Sequence, residues 1–418
     1  MSKRNLLAVP PILVGAALSA QQPPSDTSIA ARLERAERTI ELLRAQVAEV
    51  AATKVESRSR NRVELSGRVL VNAFFNNGKV NNSDVPQFVL PPDPPGLPVS
   101  AAGASVRQSQ IALTAFASGV AGAEFSGELD ADFFGGQQPS SGGRTFPLMR
   151  LRRMRAELTW PHAWLLIGQE APPIAEFNPS SLAQIGFTGF AGSGNLWLWI
   201  PQIRAGVDAG SALRIGLEAA ALAPTTGTPQ DVFATQPDIA ERSRRPYLQG
   251  RLRVRWDRPG TTGELSLGGH YGWLATTGPV LLVSKAAAAS ALIAAGPVEL
   301  RAEAFAGQAV AGLGGGAIGQ NLGLGSLPVS TTGGWAQLNL KPGAGWEIGG
   351  GYGQDDPEDV DLNPLNARLK NVSWEGHLHW RPQPMVFGVE FRRFETTYSL
   401  ATGLLFVNHL NVAAGFEF

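Results

Sequence analysis

The sequence predicts an all-β fold: a transmembrane antiparallel up-and-down β-barrel of about sixteen strands, preceded by a short N-terminal α-helical coiled coil. Three observations carry this. The chain ends on a strand of period two, with Leu410, Val412, Ala414, Phe416 and Phe418 alternating with Asn411, Ala413, Gly415 and Glu417. Charges occupy every second place on many further strands, which a dry sandwich would not tolerate and a watery lumen does. Short Gly- and Pro-rich turns alternate with long loops, as an up-and-down barrel requires.

Composition agrees. The 418 residues include 49 Gly, 30 Pro and no Cys. Zero Cys excludes a disulfide scaffold and a thiolate metal site. The 35 basic and 35 acidic residues balance, so no global field points to nucleic acid. Mean hydropathy is −0.03, and only the N-terminus approaches the ~20 apolar residues of a membrane helix. A barrel hides its membrane signal because lipid-facing and lumen-facing residues alternate and average out.

Residues 1–20 read as an export signal: Lys3 and Arg4, an apolar stretch from Leu6 to Leu18, then the small residues Ser19 and Ala20. A cytoplasmic tail is the competing reading. Residues 21–54 read as a periplasmic coiled coil. Ile29, Leu33, Ala36, Ile40, Leu43, Val47 and Val50 recur at alternating intervals of four and three, a heptad seam. Ser25 or Asp26 can cap its start. Arg32 at a g position and Glu37 at the following e suit an interchain ion pair, and the segment Arg32–Glu37 resembles a trimer-specifying pattern. A helix packed on the barrel is the alternative, since helices this short are marginal alone.

Residues 55–418 form the barrel domain. Expected strands are 62–75, 105–117, 121–134, 148–160, 163–169, 195–208, 211–221, 246–257, 262–274, 280–294, 298–307, 332–341, 345–353, 369–380, 384–394 and 408–418, read from alternation and turn signals. Tight turns fall at Ser118–Val120, Pro161-His162, Ala209-Gly210, Arg258–Gly260, Gly296-Pro297, Pro342-Gly343 and Arg381–Gln383. Trp160, Trp164, Trp256, Trp273, Trp346 and Trp380 near strand ends fit interfacial girdles.

Alternation also assigns the lumen. Glu124, Glu128, Asp130 and Asp132 are expected to face inward, as are Arg153, Arg155, Arg204, Arg214, Arg251, Arg253 and Arg255. Arg stays charged and its planar fork grips carboxylates. Ladders of Arg bias a pore toward anions. Opposed acidic and basic walls would set a transverse field. Pairing between neighbours, Glu157 with Arg153 or Arg155 above all, is the other reading. Arg150 and Arg152 fall on the opposite face by strict alternation, and a bulge or a position above the lipid would reconcile them. If the loop 170–194 folds inward, Glu170, Glu176, Asn178 and Ser180 would narrow the pore; a loop lying outside or against a neighbour is the other reading.

Other chemistry is thin. His377 and His379 share a strand face with Glu375, a donor set a metal could use. A polar lumen face accounts for them equally, and no metal or other cofactor is assigned. Gly314-x-Gly316-x-x-Gly319 matches a dinucleotide fingerprint by letters but has no strand–helix unit around it. Asp355–Asp361 could bind divalent cations but reads first as a solvated outer loop. With five His and no catalytic motif, an enzyme is not expected. A structural or adhesive barrel and a barrel-rim enzyme are the alternatives.

Several segments resemble the DcaP-like family of trimeric outer-membrane porins. They are Arg107–Gln110, Glu128–Gly135, Arg150–Arg152, Leu166–Gln169, Pro201–Arg204, Glu303–Gln308, Gly350–Gly353 with Asp355–Pro357, Phe387–Glu390 and Asn408-His409. Trp199-Ile200 and Arg153 stand where this family leads one to expect an Arg and a His. The terminal strand ending in Phe418 likewise resembles the strand that outer-membrane assembly machinery reads. The resemblance implies a homotrimer in the bacterial outer membrane, its N-terminal helix in the periplasm, passing small anionic solutes including dicarboxylates.

Deleting residues 25–54 is expected to abolish a detergent-stable trimer while leaving a folded barrel, read by seminative gel migration. A trimer of unchanged stability would show the helix to be dispensable.

Overall fold

The computed structural model describes residues 62–92, 99–135, 147–227, 236–365, 367–400 and 403–418. The expected signal segment 1–20 and the coiled-coil seam from Ile29 to Val50 lie outside the described residues.

The described residues form seventeen strand segments. They are β1 (Arg62–Asn76), β2 in two pieces (Ala101–Ser105 and Gln110–Val120), β3 (Ala123–Gly135), β4 (Leu148–Thr159), β5 (Ala163–Glu170), β6 (Ile200–Gly210), β7 (Leu213–Leu222) and β8 (Tyr247–Arg258). The second half comprises β9 (Thr261–Ala275), β10 (Leu281–Ala295), β11 (Val298–Gln308), β12 (Ser330–Gly343), β13 (Trp346–Pro357), β14 (Arg368–Trp380), β15 (Met385–Tyr398) and β16 (Leu404–Glu417). Both pieces of β2 pair with β1, so the seventeen segments make sixteen staves. Each stave pairs antiparallel with the next. β16 returns to β1, from Arg68↔Glu417 to Asn76↔His409. Closure leaves no sheet edge, which a strand assembly in lipid needs because no water is there to satisfy one.

All sixteen expected strands are found, with informative differences. β6 begins at Ile200 rather than 195, because the residues before it extend the long loop. There the Leu196 N–H donates to Glu303 at 3.0 Å, and the Leu198 N–H donates to the Leu313 carbonyl at 3.0 Å. β13 runs on to Pro357, so Asp355 is a wall residue and not part of an outer loop. It is buried, accepting from Thr331 Oγ1 at 2.6 Å and the Ile318 N–H at 3.1 Å. The first tight turn lies at Ala121-Gly122, where both residues have positive φ, just beyond the expected Ser118–Val120. β10 is regular despite its alanine run, since Ala fits either face.

The outer surface is apolar. Val63, Leu65, Val69, Val71 and Phe75 of β1 are exposed, while Asn72 and Asn76 on its other face are buried inside. Such inverted burial is stable only where the outer face meets hydrocarbon. Trp346 stacks on Trp380 at 5.5 Å, and Trp380 on Phe387 at 5.7 Å, at the end carrying the short turns. Tyr271 and Trp273, at 5.1 Å, lie toward the opposite end.

A bulge settles the arginines of β4. Asp130 pairs with Arg153 and Ala131 with Leu151, which leaves Arg152 as the extra residue. The bulge shifts the parity, so Arg150, Arg152, Arg153 and Arg155 all reach inward to carboxylates.

Leu267 is 60 % exposed near the middle of β9. Leu267→Arg is expected to cost roughly 2–4 kcal/mol, the depth-dependent penalty for a lipid-facing charge, measured by denaturant unfolding in lipid vesicles. A negligible cost would place Leu267 in water.

Candidate constriction site

β5 has eight residues against twelve in β4, so the chain leaves the wall early. The long loop that follows turns inward and crosses the lumen. At its start the Ile174 N–H donates to Gln249 of β8 at 3.3 Å. Arg301 of β11 donates to the Asn178 carbonyl at 3.0 Å. The Ser180 N–H donates to Gln337 of β12 at 2.7 Å. At the tip, Glu390 of β15 accepts from the Ala183 N–H at 3.0 Å and from Ser181 Oγ at 2.8 Å, and also from the Leu182 N–H. Asn72 of β1 donates to the Leu182 carbonyl at 2.8 Å. On the way back, Asn371 of β14 donates to the Gly192 carbonyl at 2.8 Å. Small apolar clusters finish both anchorages: Ile174 and Ala175 join Leu222, Tyr247 and Leu274, while Leu182 and Ile185 join Leu70 and Val386. Buried loop polar groups need partners, and inward-facing wall residues supply them.

Glu176 is the electrostatic link between loop and wall. It bridges Arg204 of β6 and Arg251 of β8. Burial alone would raise its pKa; Arg204 and then Arg251 outweigh that and hold the carboxyl below its usual range. Both arginines also meet wall carboxylates, Arg204 with Glu218 and Arg251 with Glu264. Arg253 lies 2.5 Å from Glu218 and 2.9 Å from Asp208. Arg255 lies 3.1 Å from Asp208 and 3.7 Å from Glu264. Gly216 makes the Arg253–Asp208 contact possible: a Cβ there would fall 2.4 Å from Asp208 Oδ1 and 2.7 Å from Arg253 Nε.

The second cluster lies on β3–β5. Arg153 is 2.5 Å from Glu128, 3.3 Å from Asp130 and 3.6 Å from Glu170. Arg155 is 3.1 Å from Glu128, 3.3 Å from Glu170 and 3.6 Å from Glu157. Asp132 pairs with Arg150 at 2.6 Å. Acidic and basic strands are therefore neighbours in contact, not opposed walls across a channel. The expected transverse field is replaced by interleaved pairs, because antiparallel neighbours place these side chains directly opposite each other, as in Glu128↔Arg155.

The remaining expected residues sit apart. Glu124 is exposed at the start of β3. Arg214 is exposed near the same rim, donating to the Ser211 carbonyl at 3.2 Å. Asn178 accepts from Asn195 inside the loop at 3.3 Å. Trp164 is not part of a girdle. It faces the lumen beneath Arg204 and Arg253, at 5.2 and 5.4 Å, in a recess of about 400 Å³ that Arg155, Asp208 and Arg255 also line. Glu375 does not join His377 and His379; it meets Arg392 at 2.6 Å and accepts from Gln337. Alternation in the sequence does not single out Asp208, Glu218, Glu264 or Arg392, and it does not show that Glu375 and Glu390 pair with Arg392. Inward parity does place Asp208 on a face with Arg204, and Glu218 on one with Arg214.

No protein-family model matches the chain, and no curated protein matches it. Solved structures do. The outer-membrane channel DcaP of Acinetobacter baumannii superposes with a TM-score of 0.65 at 16% identity, covering 86% of this chain and 97% of that one. The fold is that of the DcaP-like porins. An anion-selective porin from Comamonas acidovorans gives 0.54 at 14% identity, covering 86% and 100%. OmpT of Vibrio cholerae in its trimer form gives 0.51 at 10%, covering 86% and 99%. The two departures from the DcaP-like pattern have local explanations: Trp199 packs beneath Arg152 at 4.6 Å, and Arg153 is ion-paired as described.

Glu176→Gln is expected to loosen the loop and raise single-channel conductance and its fluctuations at neutral pH. The depressed pKa keeps the wild-type link intact above the ordinary carboxylate range, with loss only as pH falls below it. Identical conductance in the variant would mean that Glu176 does not hold the loop.

Proposed function

We propose that this chain is an outer-membrane porin, a passive homotrimeric channel for small hydrophilic solutes that favours anions, dicarboxylates among them. The observation carrying this reading is the exposure of three paired arginines, Arg153, Arg155 and Arg255, toward water. The Arg153 side chain is 31 % exposed, over Asp130 at 8 % and Glu170 at 9 %. The Arg155 side chain is 30 % exposed, over Glu128 at 17 %. The Arg255 side chain is 36 % exposed, over Glu264 at 13 %. At these three arginines the guanidinium heads lie over their carboxylates, whereas Arg204 and Arg251 are buried beneath the more exposed Glu176. These three arginines give the lumen a local basic surface, and a cationic lining biases a pore toward anions.

The exposed apolar belt suits contact with outer-membrane lipid, and the anion-selective neighbour supports the same class of solute. We assign the trimer contact to the heptad seam Ile29–Val50 and recognition by the assembly machinery to Phe418, whose ring stands at the exposed chain end. The chain is read as a channel and not an enzyme.

Vesicles carrying the protein should admit succinate several-fold faster than a diamine of equal length. Arg155→Gln combined with Arg255→Gln should bring the two rates together. An unchanged ratio would contradict the basic-surface reading.

A further inference from the structure

The wall beneath the loop tip holds three donors that the channel reading does not use. Alternation along β14 puts His377 and His379 on the lumen side, their rings stacked at 4.2 Å. β13 places Glu347 opposite His379 and Gly349 opposite His377. Gly349 matters here because a Cβ would fall 2.3 Å from His377 Cε1, so only a glycine lets that ring lie across the strand. His377 Nε2 is 3.2 Å from Glu347 Oε1, and His379 Nδ1 is 3.4 Å from the same oxygen. One ligand atom from each residue lies within 4.8 Å of the others, and all three residues are buried.

We propose that Glu347, His377 and His379 form a binding site for a divalent transition metal of the Zn²⁺ class. Two imidazole nitrogens and one carboxylate oxygen are a borderline donor set that suits Zn²⁺ and disfavours Mg²⁺ or Ca²⁺. His379 supplies an independent sign. Its Nε2 is 3.0 Å from Glu390 Oε1, the carboxylate–histidine contact that orients a metal-binding imidazole from behind. With Nε2 as donor, Nδ1 turns its lone pair toward Glu347. That nitrogen is buried and has no hydrogen-bond partner. A lone pair there would face a carboxylate oxygen, so either a proton or a metal ion sits between them, and the His377 nitrogen converges on the same oxygen.

The site has a way in and a link to the channel. Lys341 Nζ, on a side chain 40 % exposed, lies 3.7 Å from Glu347 Oε2 and marks the lumen-facing edge. Ser180 Oγ of the loop donates to Glu347 Oε1. Glu390, behind His379, holds the loop tip. Three protein ligands leave a fourth position for water or the loop hydroxyl, so an occupied site would brace the loop from below.

The test uses the purified full-length protein in detergent with ZnCl₂ as probe, at pH 7.5 and in excess MgCl₂. Equilibrium binding should show one Zn²⁺ per chain. His377→Gln and His379→Gln should each weaken binding at least tenfold, with barrel folding checked by heat-modifiable migration. X-ray absorption at the zinc edge of the wild-type protein, which needs no variant, should show two imidazole ligands. Absence of saturable Zn²⁺ binding would mean that a proton fills the gap, and overturns the proposal. Binding that survives both substitutions, or a spectrum without imidazole, overturns it too. Binding is read without conduction, so failure here leaves the porin reading intact.

Discussion

The structure rests on closure. In hydrocarbon no backbone N–H or C=O can turn to water, so a sheet crossing it must have no edge. The pairing of β16 with β1 meets that requirement, and every other feature follows from it. Closure divides each strand into a face toward lipid and a face toward an enclosed lumen. Leu267 and Leu217 can then be exposed while Arg251 and Arg392 are fully buried, the reverse of a water-soluble domain.

Closure also creates the problem that the charged residues solve. A lumen wall bearing many guanidinium groups would repel itself, and a loop drawn into that lumen must satisfy its own polar backbone. Glu176, Glu218 and Asp208 answer the first need, while Gln249, Gln337, Asn72 and Glu390 answer the second. An unpaired buried charge costs several kcal/mol, so the buried Arg204, Arg251 and Arg392 are each paired with carboxylates, while Arg153, Arg155 and Arg255 keep their heads nearer the water. Selectivity, on this account, comes from the few paired arginines that stay exposed, Arg153, Arg155 and Arg255, rather than from an excess of one sign.

Much of this was legible in the sequence. Period-two alternation and glycine-rich turns gave all sixteen staves, because those signals are local and set by backbone sterics. The inward parity of Arg204, Arg251, Arg253 and Arg255 was legible for the same reason. The β4 arginines were ambiguous because one bulged residue reverses parity and leaves no mark in composition. The partners of each charge were hidden because they depend on register between strands and on the fold of one loop. Glu176 gains its role only when Arg204 and Arg251, distant in sequence, stand either side of it. Trp164 was placed at the membrane interface because position near a strand end does not distinguish the two faces. The pairing of Glu347, and not Glu375, with His377 and His379 was likewise a matter of which neighbouring strand stands opposite.

The most direct test is the reversal potential of the purified wild-type protein in a planar bilayer under a tenfold KCl gradient. A lumen with exposed Arg153, Arg155 and Arg255 predicts discrete channels whose reversal potential has the sign of chloride preference. A potential of the opposite sign would contradict the basic lumen surface, and a bilayer that never conducts would contradict the channel itself.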